Sequence, residues 1–218
     1  MGNKTGSIAA IAGALLLLVG TFLHPLGADP KDPLGAFTEY AADRFWITSH
    51  LMQLTGVVLM VFALVVLSRV ISSGDDSPWA HIGVVGAGAS LSVAAALQAV
   101  DGVALKAMVD RWAAAPAAEK EMLFHATFAV RQIEVGLAGI LSLLFGITAT
   151  IYGVALLSSR HFPRWLGWLP IGGGIPTALA GVVIAYTGFS GVAMGINASA
   201  SPILLVWMIL VGVRMWRL

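Results

Sequence analysis

The stretch FWITSHLMQLTGVVLMVFALVVLSRVI, residues 45–71, decides the fold. It is almost wholly apolar, and its one charged side chain, Arg69, lies near its end. A hydrocarbon core about 30 Å thick is crossed by about 20 such residues in a helix. The run is near-continuous and does not alternate, so it is not the wall of a β-barrel. Working outward, five further stretches meet the same test. The predicted spans are 7–26, 45–71, 78–107, 122–157, 165–187 and 201–217. Backbone amides in hydrocarbon must be satisfied within their own segment, so each stretch reads as a helix. The expected fold is all-α, a polytopic transmembrane bundle of six helices forming a single domain over residues 1–218.

Composition agrees. Hydrophobic residues make up 58% of the chain and charged ones 11%, against about 45–50% and about 25% in a soluble domain. A soluble globular domain is excluded. The absence of cysteine removes disulfides, thiolate metal sites, iron–sulfur clusters and a cysteine nucleophile. A net charge of +1 offers no basic stripe for nucleic acid. The first apolar run, about 20 residues, exceeds the core of a signal peptide, so it is retained as a span although Leu26-Gly27-Ala28 resembles a cleavage site. Gly6 stands where a myristoylation signal needs Ser or Thr.

Basic residues set the orientation. Lys4, Arg69, Arg160, Arg164, Arg214 and Arg217 fall on the side of the two termini, with Asp75 and Asp76. The loops of the other side carry Lys31, Arg44, Arg111 and Lys120. The positive-inside rule then places both termini in the cytoplasm and makes the opposite, acid-rich side the outer one. The expected setting is the lipid bilayer of a bacterial plasma membrane, with a homodimer or a membrane-complex subunit as partner. Small residues let membrane helices approach, and Gly139, Gly146 and Gly153 recur every seventh residue on one stripe. Pro170 and Pro176 flank Gly172-Gly173-Gly174, which predicts a fixed kink or a hinge. Trp46, Trp79, Trp165, Trp168 and Trp216 read as interfacial anchors.

Polar side chains inside spans are costly and mark function by default. Counted along the helices, most of them gather near the outer boundary. The candidate ligand or ion pocket comprises Glu39, His50, Gln53, Gln98, Asp101, Lys106, Arg131, Glu134 and Tyr186. Spacing puts His50 with Gln53, Gln98 with Asp101, and Arg131 with Glu134 on shared faces. Three readings follow. Charges pair between the third and fourth spans, as Asp101–Arg131 or Lys106–Glu134. The cluster floors an outward pocket for a small ligand or ion, or belongs to an accessory membrane subunit. Or His24, His50 and His125 hold haem b or a transition metal in a membrane oxidoreductase. Ser49 and His50, adjacent in sequence, lie on different helix faces and make no nucleophile–base pair. His81 and His161 read as solvated inner-surface residues, and Asn197-Ala198-Ser199 matches a glycosylation sequon.

The segment QAVDGVALK at 98–106, followed by AAPAAEK at 114–120, resembles a family of uncharacterised six-helix membrane proteins of bacteria and archaea. FTEYA at 37–41, His50 and PRWLGW at 163–168 match it too. The resemblance covers about residues 35–190. It implies the same fold and no activity, and points to Glu39, His50, Asp101, Lys106 and Glu134.

Overall fold

The computed structural model describes residues 2–25, 27–73 and 77–218. Leu26, Asp75 and Asp76 lie outside the described residues. The elements are α1 (Gly2–Leu23), α2 (Pro33–Ala42), α3 (Trp46–Ser72), α4 (Pro78–Gln98), a π-helical segment (Ala99–Leu105), α5 (Lys106–Ala113), α6 (Ala117–Ser158), α7 (Trp165–Thr187) and α8 (Gly191–Trp216). Among the described residues there is no strand. Among the described residues six helices are long and apolar enough to cross a membrane, with α4, the π segment and α5 forming one continuous span. The chain is a multi-pass helical membrane protein.

The helix starts follow from short polar caps. Asp32 Oδ1 accepts from the amides of Leu34 and Gly35, both at 3.1 Å, with Pro33 opening α2. Ser77 caps α4 ahead of Pro78, and Ser190 caps α8. That last cap corrects an expectation. The last span was expected from residue 201, yet α8 begins at Gly191, so the sequon at Asn197 lies within a helix. α1 ends at Leu23, short of the expected boundary.

The spans form a ring in chain order: α1 against α3, α3 against α4, α4 against α6, α6 against α7, α7 against α8, and α8 back against α1. Ser7 Oγ closes it, donating to Gly212 O at 2.6 Å. Tyr152, Leu67, Trp207 and Met208 fill the centre, where the Tyr152 hydroxyl donates to Leu64 O at 3.0 Å. An even number of crossings brings both termini to one end. α6 has 42 residues, about 63 Å at 1.5 Å per residue. That is twice the hydrocarbon thickness, so its N-terminal part stands out at the opposite end. There α2 is held by a second core of Phe37, Tyr40, Trp46, Leu105, Val109, Trp112 and Leu123. α2 thus covers this end of the bundle between the first two spans.

The predicted glycine stripe meets a second one. A methyl group on Gly153 would lie 2.7 Å from Gly167 O, and one on Gly181 would lie 2.5 Å from Gly139 O. Gly146 faces Gly174 in the same way. The seven-residue repeats of α6 and α7 thus run backbone to backbone, and α7 continues unbroken through Pro170 and Pro176. Gly174 is a contact residue of this seam, which argues against reading the triple glycine as a hinge. Overpacking costs about 1–3 kcal/mol per site. Gly174→Val is accordingly expected to lower the melting temperature in detergent, while Gly172→Ala, which has open space around it, leaves it unchanged.

Candidate functional site

The α2 end of the bundle gathers polar groups from several elements around Trp46, the first residue of α3, which is 1% exposed. The Trp46 carbonyl accepts from His50 Nδ1 at 2.7 Å, one turn on. Its indole Nε1 donates to Asp101 O at 3.1 Å. Its ring lies 4.9 Å from His24, 4.7 Å from His50 and 4.4 Å from Tyr40. One buried side chain therefore fixes three others.

His50 is buried, and its Nε2 stands 3.1 Å from Asp101 Oδ2. Asp101 belongs to the π segment, whose wider turn departs from the α-helical register at this point. Gly102 makes the approach feasible, because a methyl group there would fall 2.7 Å from His50 Cβ. Asp101 Oδ1 is buried with no hydrogen-bond partner among the described residues. His24 follows the end of α1 with Nδ1 2.8 Å from Pro25 O, and its ring is 5.0 Å from His50. Burial pushes the His24 imidazole below its ordinary value, and His50 adds to the shift. The Tyr40 phenol is pushed by burial up to about 12. The donor atoms of His24, His50 and Asp101 all lie within 4.8 Å of one another, and this is the one such group among the described residues.

Arg131 and Glu134 are both buried and pair along α6, Nη1 to Oε2 at 2.5 Å. The guanidinium sits between the rings of Tyr40, at 5.5 Å, and Phe189, at 5.1 Å. A cavity of about 770 Å³ is bounded by His24, Glu39, Tyr40, Gln53, Asp101, Arg131 and Glu134, with Lys31, Phe189 and Met194 at its sides. Glu39 braces the wall, its carboxylate accepting from the amides of Gly27 at 2.9 Å and Ala28 at 2.8 Å, just beyond His24.

Some predicted residues fall elsewhere. Lys106 caps the C-terminal end of α2, donating to Tyr40 O at 2.9 Å and Ala41 O at 3.3 Å, and pairs with Asp110 at 2.7 Å. The geometry is favourable for a cation at helix carbonyls. Neither expected cross-span pair forms: Asp101 meets His50, Lys106 meets Asp110, and Arg131 meets Glu134 of its own helix. Gln98 donates to Gln53 Oε1 at 3.2 Å but borders a separate crevice of about 220 Å³. Tyr186 is 87% exposed and lines no part of the cavity. His125 is exposed beside Phe124 and does not join the other histidines. Two imidazoles on one haem stand on opposite faces of the macrocycle, whereas His24 and His50 are in ring contact, so haem b does not fit this pair. Ser49 Oγ does lie 3.2 Å from His50 Nδ1, but it donates to Trp46 O at 2.7 Å, the same carbonyl that His50 uses. Trp46 was legible only as an anchor, and Phe189 gave no signal at all.

A ring of six apolar helices with a polar cavity at one end defines a helical integral membrane protein. The chain belongs to the family described as a domain of unknown function (DUF4386), whose model matches residues 6–212. No curated protein and no solved structure matches it.

Removing one partner of a buried ion pair costs about 3–5 kcal/mol, because the other charge is stranded. Arg131→Met is expected to lower the melting temperature sharply, and Arg131→Met with Glu134→Leu to recover most of the loss. Arg131→Met with Asp101→Asn recovers less. Thermal unfolding in one detergent distinguishes these outcomes.

Proposed function

We propose that the chain is a binding protein of the bacterial plasma membrane whose cavity takes up a small polar ligand or an ion from the outer aqueous side. The observation that carries the reading is the convergence of half-buried His24 and Asp101 with buried Arg131 and Glu134 on one cavity of about 770 Å³. Scattered ion pairs that served only to fix helix register would not need a shared cavity of that size. Orientation rests on charge. Lys4, Arg69, Arg160, Arg164, Arg214 and Arg217 lie toward the end with the termini, which the positive-inside rule assigns to the cytoplasm.

Because the chain has no cysteine, single cysteines report access cleanly. A membrane-impermeant thiol reagent is expected to label Met194→Cys in intact cells and to leave Ser159→Cys, at the opposite end, unlabelled. For the purified protein, salts of divalent cations, phosphate, short carboxylates and amino acids are compared by thermal shift. One class is expected to raise the melting temperature by about 5 °C at saturating concentration and to slow labelling of Met194→Cys. An unreactive Met194→Cys, or no stabilisation by any class, overturns the reading.

A further inference from the structure

We infer that the occupant of this site is a divalent first-row transition-metal ion, held by His24 Nε2, His50 Nε2 and a carboxylate oxygen of Asp101. The inference rests on the reading of the cavity as a binding site and names its ligand.

The two histidines are pre-set as ligands. A backbone carbonyl can only accept, so the contacts of His24 Nδ1 with Pro25 O and of His50 Nδ1 with Trp46 O place the proton on Nδ1 in each ring. In the neutral imidazole the lone pair is then on Nε2. A hydrogen bond from the far ring nitrogen to a carbonyl is the usual way a metal-binding histidine is oriented.

With the His50 proton on Nδ1, Nε2 and Asp101 Oδ2 are two acceptor atoms facing each other at 3.1 Å. That contact calls for a positive species between them, a proton or a metal ion. Donors about 2.1 Å from one ion, spread at tetrahedral or octahedral angles, are themselves about 3.0–3.4 Å apart, and this pair already has that spacing. The third donor, on His24, lies within 4.8 Å of both.

Asp101 Oδ1 is an independent sign. It is buried and has no hydrogen-bond partner among the described residues, although a buried acceptor normally finds one. Coordination by either oxygen of the carboxylate would engage the group that protein contacts leave half satisfied.

The donor set also selects the class of ion. Two imidazoles and one carboxylate favour zinc, iron, cobalt or manganese over calcium and magnesium, which take oxygen ligands. Three protein ligands leave at least one position open, as in sites that exchange a ligand, whereas structural sites are closed by four. His24 and Asp101 both border the large cavity, which gives the ion its route in.

The test uses the whole chain, purified in detergent, stripped with a chelator and dialysed. Zn²⁺ is titrated calorimetrically, and Co²⁺ is added separately while the visible spectrum is recorded. One Zn²⁺ per chain is expected, with d–d absorption for Co²⁺. His50→Gln and Asp101→Asn are each expected to weaken Zn²⁺ binding by at least about 10-fold, and His125→Gln to leave it unchanged. If a variant does not fold, the wild-type cobalt spectrum still decides, since a solvated hexa-aquo spectrum overturns the assignment. Wild-type protein that takes up no metal overturns it too, as does binding that survives both His24→Gln and His50→Gln. If Met194→Cys remains reactive from outside and another class of solute stabilises the protein, the metal assignment fails while the cavity reading stands. If Met194→Cys is closed, the cavity reading fails.

Discussion

The polar end of this molecule depends on Trp46. A buried tryptophan usually finds a partner for its indole N–H, and Trp46 finds it in the Asp101 carbonyl, whereas the indole N–H of Trp207 has none among the described residues. The same residue gives its own carbonyl to His50 and its ring face to His24 and Tyr40. Three elements separated in sequence are thereby tied to one residue. The end of α1, the start of α3 and the π segment meet at this side chain. The two hydrogen bonds pair buried polar groups, and with the ring contacts they bring the donor atoms of two imidazoles and a carboxylate to one place.

The rest of the bundle supports that end by being rigid. Backbone contact between α6 and α7 leaves little freedom to slide, because each glycine of one stripe is backed by the carbonyl of its counterpart. The α1–α3 seam uses the same device at Gly13 and Gly56, where a methyl group on either would lie 2.7 Å from the other's carbonyl oxygen. α2 then closes the end through aromatic packing, with Phe37 5.6 Å from Phe124 and 6.0 Å from Trp112. Lys106 supplies the positive charge that the carbonyl end of α2 lacks in its own sequence.

Hydropathy made the spans legible, because a bilayer leaves no alternative to long apolar helices. Ten of the twelve expected span ends fall within about five residues of the helix ends. The exceptions are the end of the third span, expected at 107 where the helix runs on to Ala113, and the start of α8, whose small polar first turns carry no apolar signal. The α6 glycine stripe was legible from its period of seven. Its partner stripe on α7 has the same period but was obscured by Pro170, Pro176 and the triple glycine. The polar site was legible as a list of residues and not as pairings. Azimuth along a helix shows that Arg131 and Glu134 share a face, but it cannot say whether each looks to the other or to a neighbouring span. The π segment was not legible. The metal reading took only histidines, His24, His50 and His125, and left Asp101 to pair with Arg131, whereas the π segment sets Asp101 beside His50. Gly102 was the one residue type that hinted at a close approach there.

The most direct test of the account is X-ray absorption at the metal edge of protein loaded with one equivalent of Zn²⁺ or Co²⁺, with imidazole nitrogens counted by multiple scattering. The account predicts two imidazoles together with light oxygen ligands, at about 2.0–2.2 Å. A shell of oxygen alone, or one with three imidazoles, would contradict it.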